Sequence, residues 1–185
     1  MTRIDDIEEG QLTRSLAYVG YILLAFELVK SLIVRPVKQL YSHVTFGPGM
    51  PFKSYEEDVR CRHKNEFEAC LLYLRDFMGA IDTSDLLAIQ GLREHRNDLA
   101  HELPRTLSTL DIEKHQGLLD AAHKALFKLS NHQAYVEIGS DPAFQGIDWD
   151  TAKGHEYLIL EAVIGKARLL GVQLPNMLSI TEPAS

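Results

Sequence analysis

The sequence predicts an all-α bundle of about five helices, with one long crossover loop between the first two. Three observations carry this. Apolar residues recur at spacings of three and four through most of the chain, breaker clusters separate those runs, and strand-like alternation is confined to Val136 and Ile138. With 185 residues, 45% of them hydrophobic and 24% charged, the composition suits a single globular domain over residues 1–185. A chain of this length buries a core without a metal or a disulfide to hold it.

In the first helix Leu12, Leu16, Val19, Leu23, Phe26 and Ile33 form one stripe, and Ile22, Ala25, Val29 and Leu32 form a second. Two stripes imply two packing partners, which places this helix at the centre of the bundle or between subunits; Pro36 is expected to end it or to start the exit. Residues 41–52 hold Gly47-Pro48-Gly49 and Pro51 and read as a loop crossing the bundle. Ser54 with Glu57 is a capping box for the second helix, whose stripe of Val59, Phe67, Leu71, Leu74 and Met78 runs to Gly79. Thr83 or Ser84 with Asp85 opens the third, which continues through Leu92 and Leu99 to a stop at Pro104. Ser108 with Asp111 starts the fourth, carried by Leu119, Ala122, Leu126 and Leu129 to about Gln133. After a loop over 139–148, with Trp149 as a packing anchor, Asp150 or Thr151 leads into a last helix capped by Gly171, and 172–185 form a frayed tail.

Nineteen basic residues against 26 acidic ones leave a net charge of −7, which argues against coating nucleic acid by global charge and leaves room for a local site. The only two cysteines, Cys61 and Cys70, lie nine positions apart, about 13 Å along one helix, too far for a disulfide. They read as reduced thiols of a cytoplasmic protein. The start, MTRIDDIEEG, is acidic rather than a basic secretory signal. The apolar stretch from Leu16 to Phe26, bracketed by Arg14, Glu27 and Lys30, falls short of the roughly 20 residues of a bilayer span, so no membrane partner is expected.

Polar density peaks from Arg93 to Arg105, at the end of the third helix. In an unbroken helix Asn97 and His101 stack on one face with Arg93, whereas Arg96 lies about 140° around from His101 at about 100° per residue. Arg96 must reach by its long side chain, or the last turn must distort. Arg96-Asn97-Asp98-Leu99-Ala100-His101 resembles the Arg-x4–6-His motif of the HEPN superfamily, usually with a polar residue after the Arg. The surrounding run, from Tyr55 through Phe67-Glu68-Ala69, Leu74 and Gly79-Ala80-Ile81 to Leu92-Arg93-Glu94-His95, is similar to small plasmid- and genome-encoded proteins of that family, over roughly residues 10–135.

That resemblance implies a helical bundle that dimerises and, in many members, a metal-independent endoribonuclease of bacterial toxin or antiviral systems. It implies His101 as acid or base, Arg96 as phosphate binder and Asn97 as polar helper, with Arg93 and Arg105 flanking as substrate-binding cations. RNA supplies its own nucleophile. An imidazole can take the 2′-hydroxyl proton while a guanidinium stabilises charge growing on the phosphate, leaving 2′,3′-cyclic phosphate and 5′-hydroxyl ends with no metal or other cofactor. One His per chain leaves one proton transfer unassigned, which a second His101 in a two-fold homodimer supplies. The implied partners are RNA or a nucleotide, a second copy, and an antitoxin. Many toxin members carry a Tyr two residues after the motif His; Leu103 stands there, so nucleotidyl transfer to that position is excluded.

The residues alone also fit simpler readings: ion pairing on a solvated face, a His at a helix C-terminus, or a non-catalytic member that binds nucleotide, RNA or a partner protein such as a nucleotidyltransferase. Cys61, His63 and Cys70 make a poor zinc set, lacking a fourth ligand, and His115 and His123, eight apart, are more often inert than a metal pair. Glu27, alone in the apolar first helix, is expected to pair with an Arg of the third helix, with Lys30 or Arg14, or to be solvated. The sequence has no Gly-rich phosphate loop, no HExxH, no G-x-S-x-G and no Cys-x-x-Cys.

Overall fold

The computed structural model describes residues 9–43, 45, 47–106 and 109–171. Among these the chain is all-helical: α1 (Glu9–His43), α2 (Tyr55–Asp58), α3 (Glu66–Asp76), α4 (Thr83–Thr106), α5 (Gln116–Ile138) and α6 (His155–Gly171), with 3-10 turns at Arg60–Arg62, Glu113–His115 and Pro142–Phe144. The expected tail, 172–185, and Ser108 lie outside the described residues.

Helix α1 is the spine, packed by α3, α4, α5 and α6. It runs antiparallel to α6: Arg14 Nε donates to the Leu170 carbonyl near one end, and Arg35 pairs with Glu156 at 3.5 Å near the other. The second expected stripe, Ile22, Ala25, Val29 and Leu32, is buried throughout. The first is buried only at Val19, Phe26 and Ile33; Leu16 is 48% exposed, so the N-terminal half of α1 keeps an apolar face open, to which Leu24 at 49% belongs. Length and composition would let α1 cross a membrane.

Pro36 does not end α1, contrary to expectation. A proline at this position removes the amide that would bond the Leu32 carbonyl, and the side-chain amide of Gln133 on α5 donates to that carbonyl instead. The orphaned acceptor is satisfied from outside the helix, so the helix continues. The breaker cluster falls beyond it, where Met50 N–H bonds the Gly47 carbonyl at 3.2 Å and Gly49 has φ +88°. This is a reverse turn with proline and then a left-handed glycine at its centre.

The expected second helix is broken into α2, a 3-10 turn and α3. Ser54 does cap α2, accepting from the Glu57 amide at 3.2 Å, but the Glu57 carboxylate accepts from the Ser54 hydroxyl at 2.8 Å rather than from its backbone amide. His63 is extended, however, and Asn65 accepts from the Glu68 amide at 3.2 Å, starting a new helix. Helix α3 stops at Asp76 and Gly79 takes φ +63°, the left-handed turn that leads toward α4. The cap of α4 is Asp82 rather than Thr83 or Ser84: its side chain accepts from the Asp85 amide at 2.9 Å, and Asp85 accepts from the Asp82 amide at 3.1 Å. Lys128 of α5 closes onto buried Asp85 at 2.8 Å.

Val136 and Ile138 lie inside α5, where two β-branched residues at an exposed helix end do not outweigh the continuing backbone bonds. Helix α6 begins at His155 rather than at 150 or 151. Asp148 takes that segment into a turn of its own, accepting from the Asp150 amide at 3.1 Å and the Thr151 hydroxyl at 2.9 Å. Trp149 packs edge-on to Tyr135 of α5 at 5.5 Å, anchoring this loop.

Candidate active site

The motif lies on the second half of α4. Leu92, His95 and Leu99 are buried and fix the inner side of the helix, while Glu94, Asp98 and His101 face solvent. At about 100° per residue Arg96 falls on the border between the two, facing α1. Its guanidinium carbon lies 5.4 Å from the centre of the Phe26 ring, one terminal nitrogen donates to Asn97 Oδ1 at 3.1 Å, and the other lies 3.6 Å from Glu27 Oε1. Its Nε is buried and has no partner among the described residues. Three neighbours thus hold a guanidinium whose side chain is still 29% exposed.

Helix α4 is continuous through the motif, so the last turn does not distort, and the Arg96 side chain meets the neighbouring Asn97 amide, Glu27 and Phe26 without a contact to His101 among the described residues. His101, one turn beyond Asn97, is exposed and makes no hydrogen bond or ion pair among the described residues. Glu27 meets two of its expected partners at once, Arg96 at 3.6 Å and Lys30 at 3.8 Å.

Arg93 turns away from His101 toward α3. It forms an ion pair with Glu68, which is almost fully buried and also accepts from Gln90 at 2.7 Å, and it lies 5.8 Å over the Phe67 ring. Arg105 is 83% exposed and pairs with Glu102 at 3.3 Å. Of the flanking cations, one is therefore built into the fold and the other is open to solvent.

Beside the motif stands a residue that the sequence reading passes over. His95 is buried, its Nε2 lies 2.9 Å from the Tyr18 hydroxyl of α1, and its ring stacks on His115 with centroids 3.8 Å apart and planes 24° apart. Burial, then the nearby His115, push its pKa down to about 4. The neutral ring locks α4 to α1 one residue before Arg96. The signal was present in the spacing, since position 95 falls between Leu92 and Leu99 on the apolar stripe of the third helix.

The other candidates separate. Cys61 is exposed and donates to the Glu57 carbonyl at 2.7 Å, whereas Cys70 is buried in α3 beside the Tyr55 hydroxyl at 3.6 Å. His123 bonds the Tyr157 hydroxyl at 2.7 Å while His115 stacks on His95. Among the described residues no group of three or more His, Cys, Asp or Glu is placed to hold a metal ion.

No family model, curated protein or solved structure matches this chain. The motif and its geometry offer a held guanidinium with exposed surface, a side-chain amide bound to it, and, one turn further along the same helix, an exposed imidazole that is unpaired among the described residues.

Proposed function

We propose that the protein is a HEPN-type, metal-independent endoribonuclease of a toxin or defence system, with Arg96, Asn97 and His101 as its reacting constellation. The observation that carries this reading is Arg96 held by Asn97 and Glu27 on the helix that presents an exposed His101, unpaired among the described residues. An imidazole here takes the proton of an RNA 2′-hydroxyl as that oxygen attacks the adjacent phosphorus. The guanidinium faces the negative charge gathering on the phosphate oxygens. The bond from phosphorus to the 5′-oxygen breaks, that oxygen takes a proton, and a 2′,3′-cyclic phosphate and a 5′-hydroxyl remain.

The second proton transfer is assigned to His101 of a second copy. The exposed apolar face of α1, Leu16, Gly20 and Leu24, favours such a homodimer: it lies on the same side of α1 as Glu27, and Gly20 has open space where a side chain would stand. In this reading α1 is a core helix of a cytoplasmic protein, which its burial against four other helices favours over a membrane span. Helices α1, α3, α4, α5 and α6 are the five main helices, with the segment between α1 and α2 as the crossover.

The test is cleavage of end-labelled single-stranded and transfer RNAs in excess EDTA by the wild type, His101→Ala and Arg96→Ala. Cyclic-phosphate ends that vanish in both folded variants establish the mechanism. Absence of cleavage across the panel overturns it in favour of a non-catalytic RNA, nucleotide or partner-binding protein.

A further inference from the structure

Where α5 ends, an aromatic surface stands outside the core. Tyr135 is 55% exposed and is the one exposed aromatic side chain among the described residues. Its ring meets half-buried Trp149, the only tryptophan of the chain, at 5.5 Å with the planes 83° apart. Ile147, two residues before Trp149, is also exposed. We propose, independently of the nuclease reading, that this surface docks a basic segment of a partner protein, with an arginine or lysine of that segment over the Tyr135 ring.

The ring is held from two sides. A Cβ added to Gly139 would stand 2.6 Å from Tyr135 Cδ2, so only glycine leaves room for the ring along the end of α5. On the other side Trp149 is fixed by the turn of Asp148, which accepts from the Asp150 amide at 3.1 Å and the Thr151 hydroxyl at 2.9 Å. Asp141 orders the chain between, accepting from the Ala143 amide at 2.9 Å. A ring held in this way loses little freedom when a partner covers it.

Charge selects the occupant. Between residues 129 and 152 the chain carries four carboxylates, Glu137, Asp141, Asp148 and Asp150, and no Lys or Arg. None of the four forms an ion pair among the described residues. Three lysines line the cleft beside Asp150. Lys128 and Lys153 are already held there, by Asp85 at 2.8 Å and Glu161 at 2.8 Å, and Lys124 offsets one carboxylate at most. The rim of the aromatic surface therefore stays negative, which repels a phosphate chain or an anionic lipid and attracts a guanidinium or ammonium. A cation over an exposed ring is stabilised by the ring's quadrupole, and Ile147 adds an apolar contact beside it.

The experiment follows the emission of Trp149 in the full-length protein during titration with a tryptophan-free peptide of twelve residues in which arginine, leucine and glycine repeat. The expected result is a saturable change, absent when glutamate replaces arginine in the peptide, with affinity about threefold weaker or more when glycine replaces leucine. Asp141→Asn with Asp148→Asn removes two charges while the amide oxygens keep both turns, and raises Kd about threefold or more. Tyr135→Ala removes the ring and raises Kd by about the same factor. Because that change alters the surroundings of Trp149, its Kd is read from the anisotropy of a fluorescein-labelled copy of the peptide.

Absence of a saturable change overturns the proposal, as does a Kd that neither variant moves. Equal affinity for the leucine-free peptide also overturns it, since general charge attraction then suffices. A larger response to oligouridine than to the basic peptide assigns the surface to nucleic acid, and a shift on concentrating the protein alone assigns it to a second copy; either outcome overturns the basic partner.

Discussion

The side chain of Gln133 donates to the main-chain carbonyl of Leu32, the acceptor that Pro36 leaves without its helical donor. This bond lets α1 run on past a proline and ties it to α5. Gln133→Leu strands the carbonyl and is expected to lower stability by about 1–3 kcal/mol in urea denaturation. Pro36→Ala restores the helical amide, so the same Gln133 change made in that background costs less than about 0.5 kcal/mol. Equal costs in the two backgrounds reject this account.

The legible part of the fold was the part set by helical spacing. The stripes of α1, α4 and α5 bury Ile22, Leu92 and Leu126 as patterned. Illegible were the points where a distant side chain overrules a local rule, Gln133 at Pro36 above all, because its donor lies about a hundred residues away in sequence. The break before α3 was written locally in Asn65 and Glu68, yet the apolar stripe running through it concealed a second start. At the candidate site the motif and the pairing of Glu27 with an arginine were readable. The direction of Arg93 was not, since only the fold brings buried Glu68 within its reach.

Acid sensitivity is expected from His95. Its folded pKa, about 4, lies below the roughly 6.5 of an unfolded histidine. Between those values the unfolded chain binds a proton that the folded chain refuses, so the stabilisation is complete above about pH 6.5 and is lost as pH falls toward 4. Its surroundings, Tyr18 of α1, His115 and Asp98, offer only the Asp98 carboxylate to favour the charged form. His115, His123 and His132 are also shifted downward, mainly by burial, and add to the same trend. His95→Phe should flatten the stability-against-pH curve between pH 6.5 and 4 by about 2–3 kcal/mol. A curve parallel to wild type would falsify the assignment.

Arg93 is expected to matter for folding more than for RNA. Removing it by Arg93→Met leaves Glu68 almost buried with only Gln90 to bond it. A loss of about 2–3 kcal/mol follows, less than a fully buried pair would cost because Arg93 is partly exposed. The double change Glu68→Leu with Arg93→Met removes the stranded charge and should recover most of that loss. Equal instability of the single and double variants, with RNA affinity reduced in both, would return Arg93 to the substrate-binding set.

Glu27 separates positioning from stability. Its contact with Arg96 is 3.6 Å and its carboxylate is 55% exposed, so Glu27→Gln should change unfolding free energy by less than about 0.5 kcal/mol. Asn97 and Phe26 still hold the guanidinium in that variant, but without the carboxylate the outer nitrogen is free to turn away from the position that meets the phosphate. The expected outcome is a several-fold fall in kcat for RNA cleavage with KM within about twofold, the pattern of an interaction that matters in the transition state. Asn97→Ala, which removes the second hold, should lower kcat further, and the combined change should fall short of the product of the two because both act through Arg96. Strict additivity of the two effects, or a change confined to KM, would mean that Glu27 and Asn97 touch the substrate independently and that Arg96 is held by Phe26 alone.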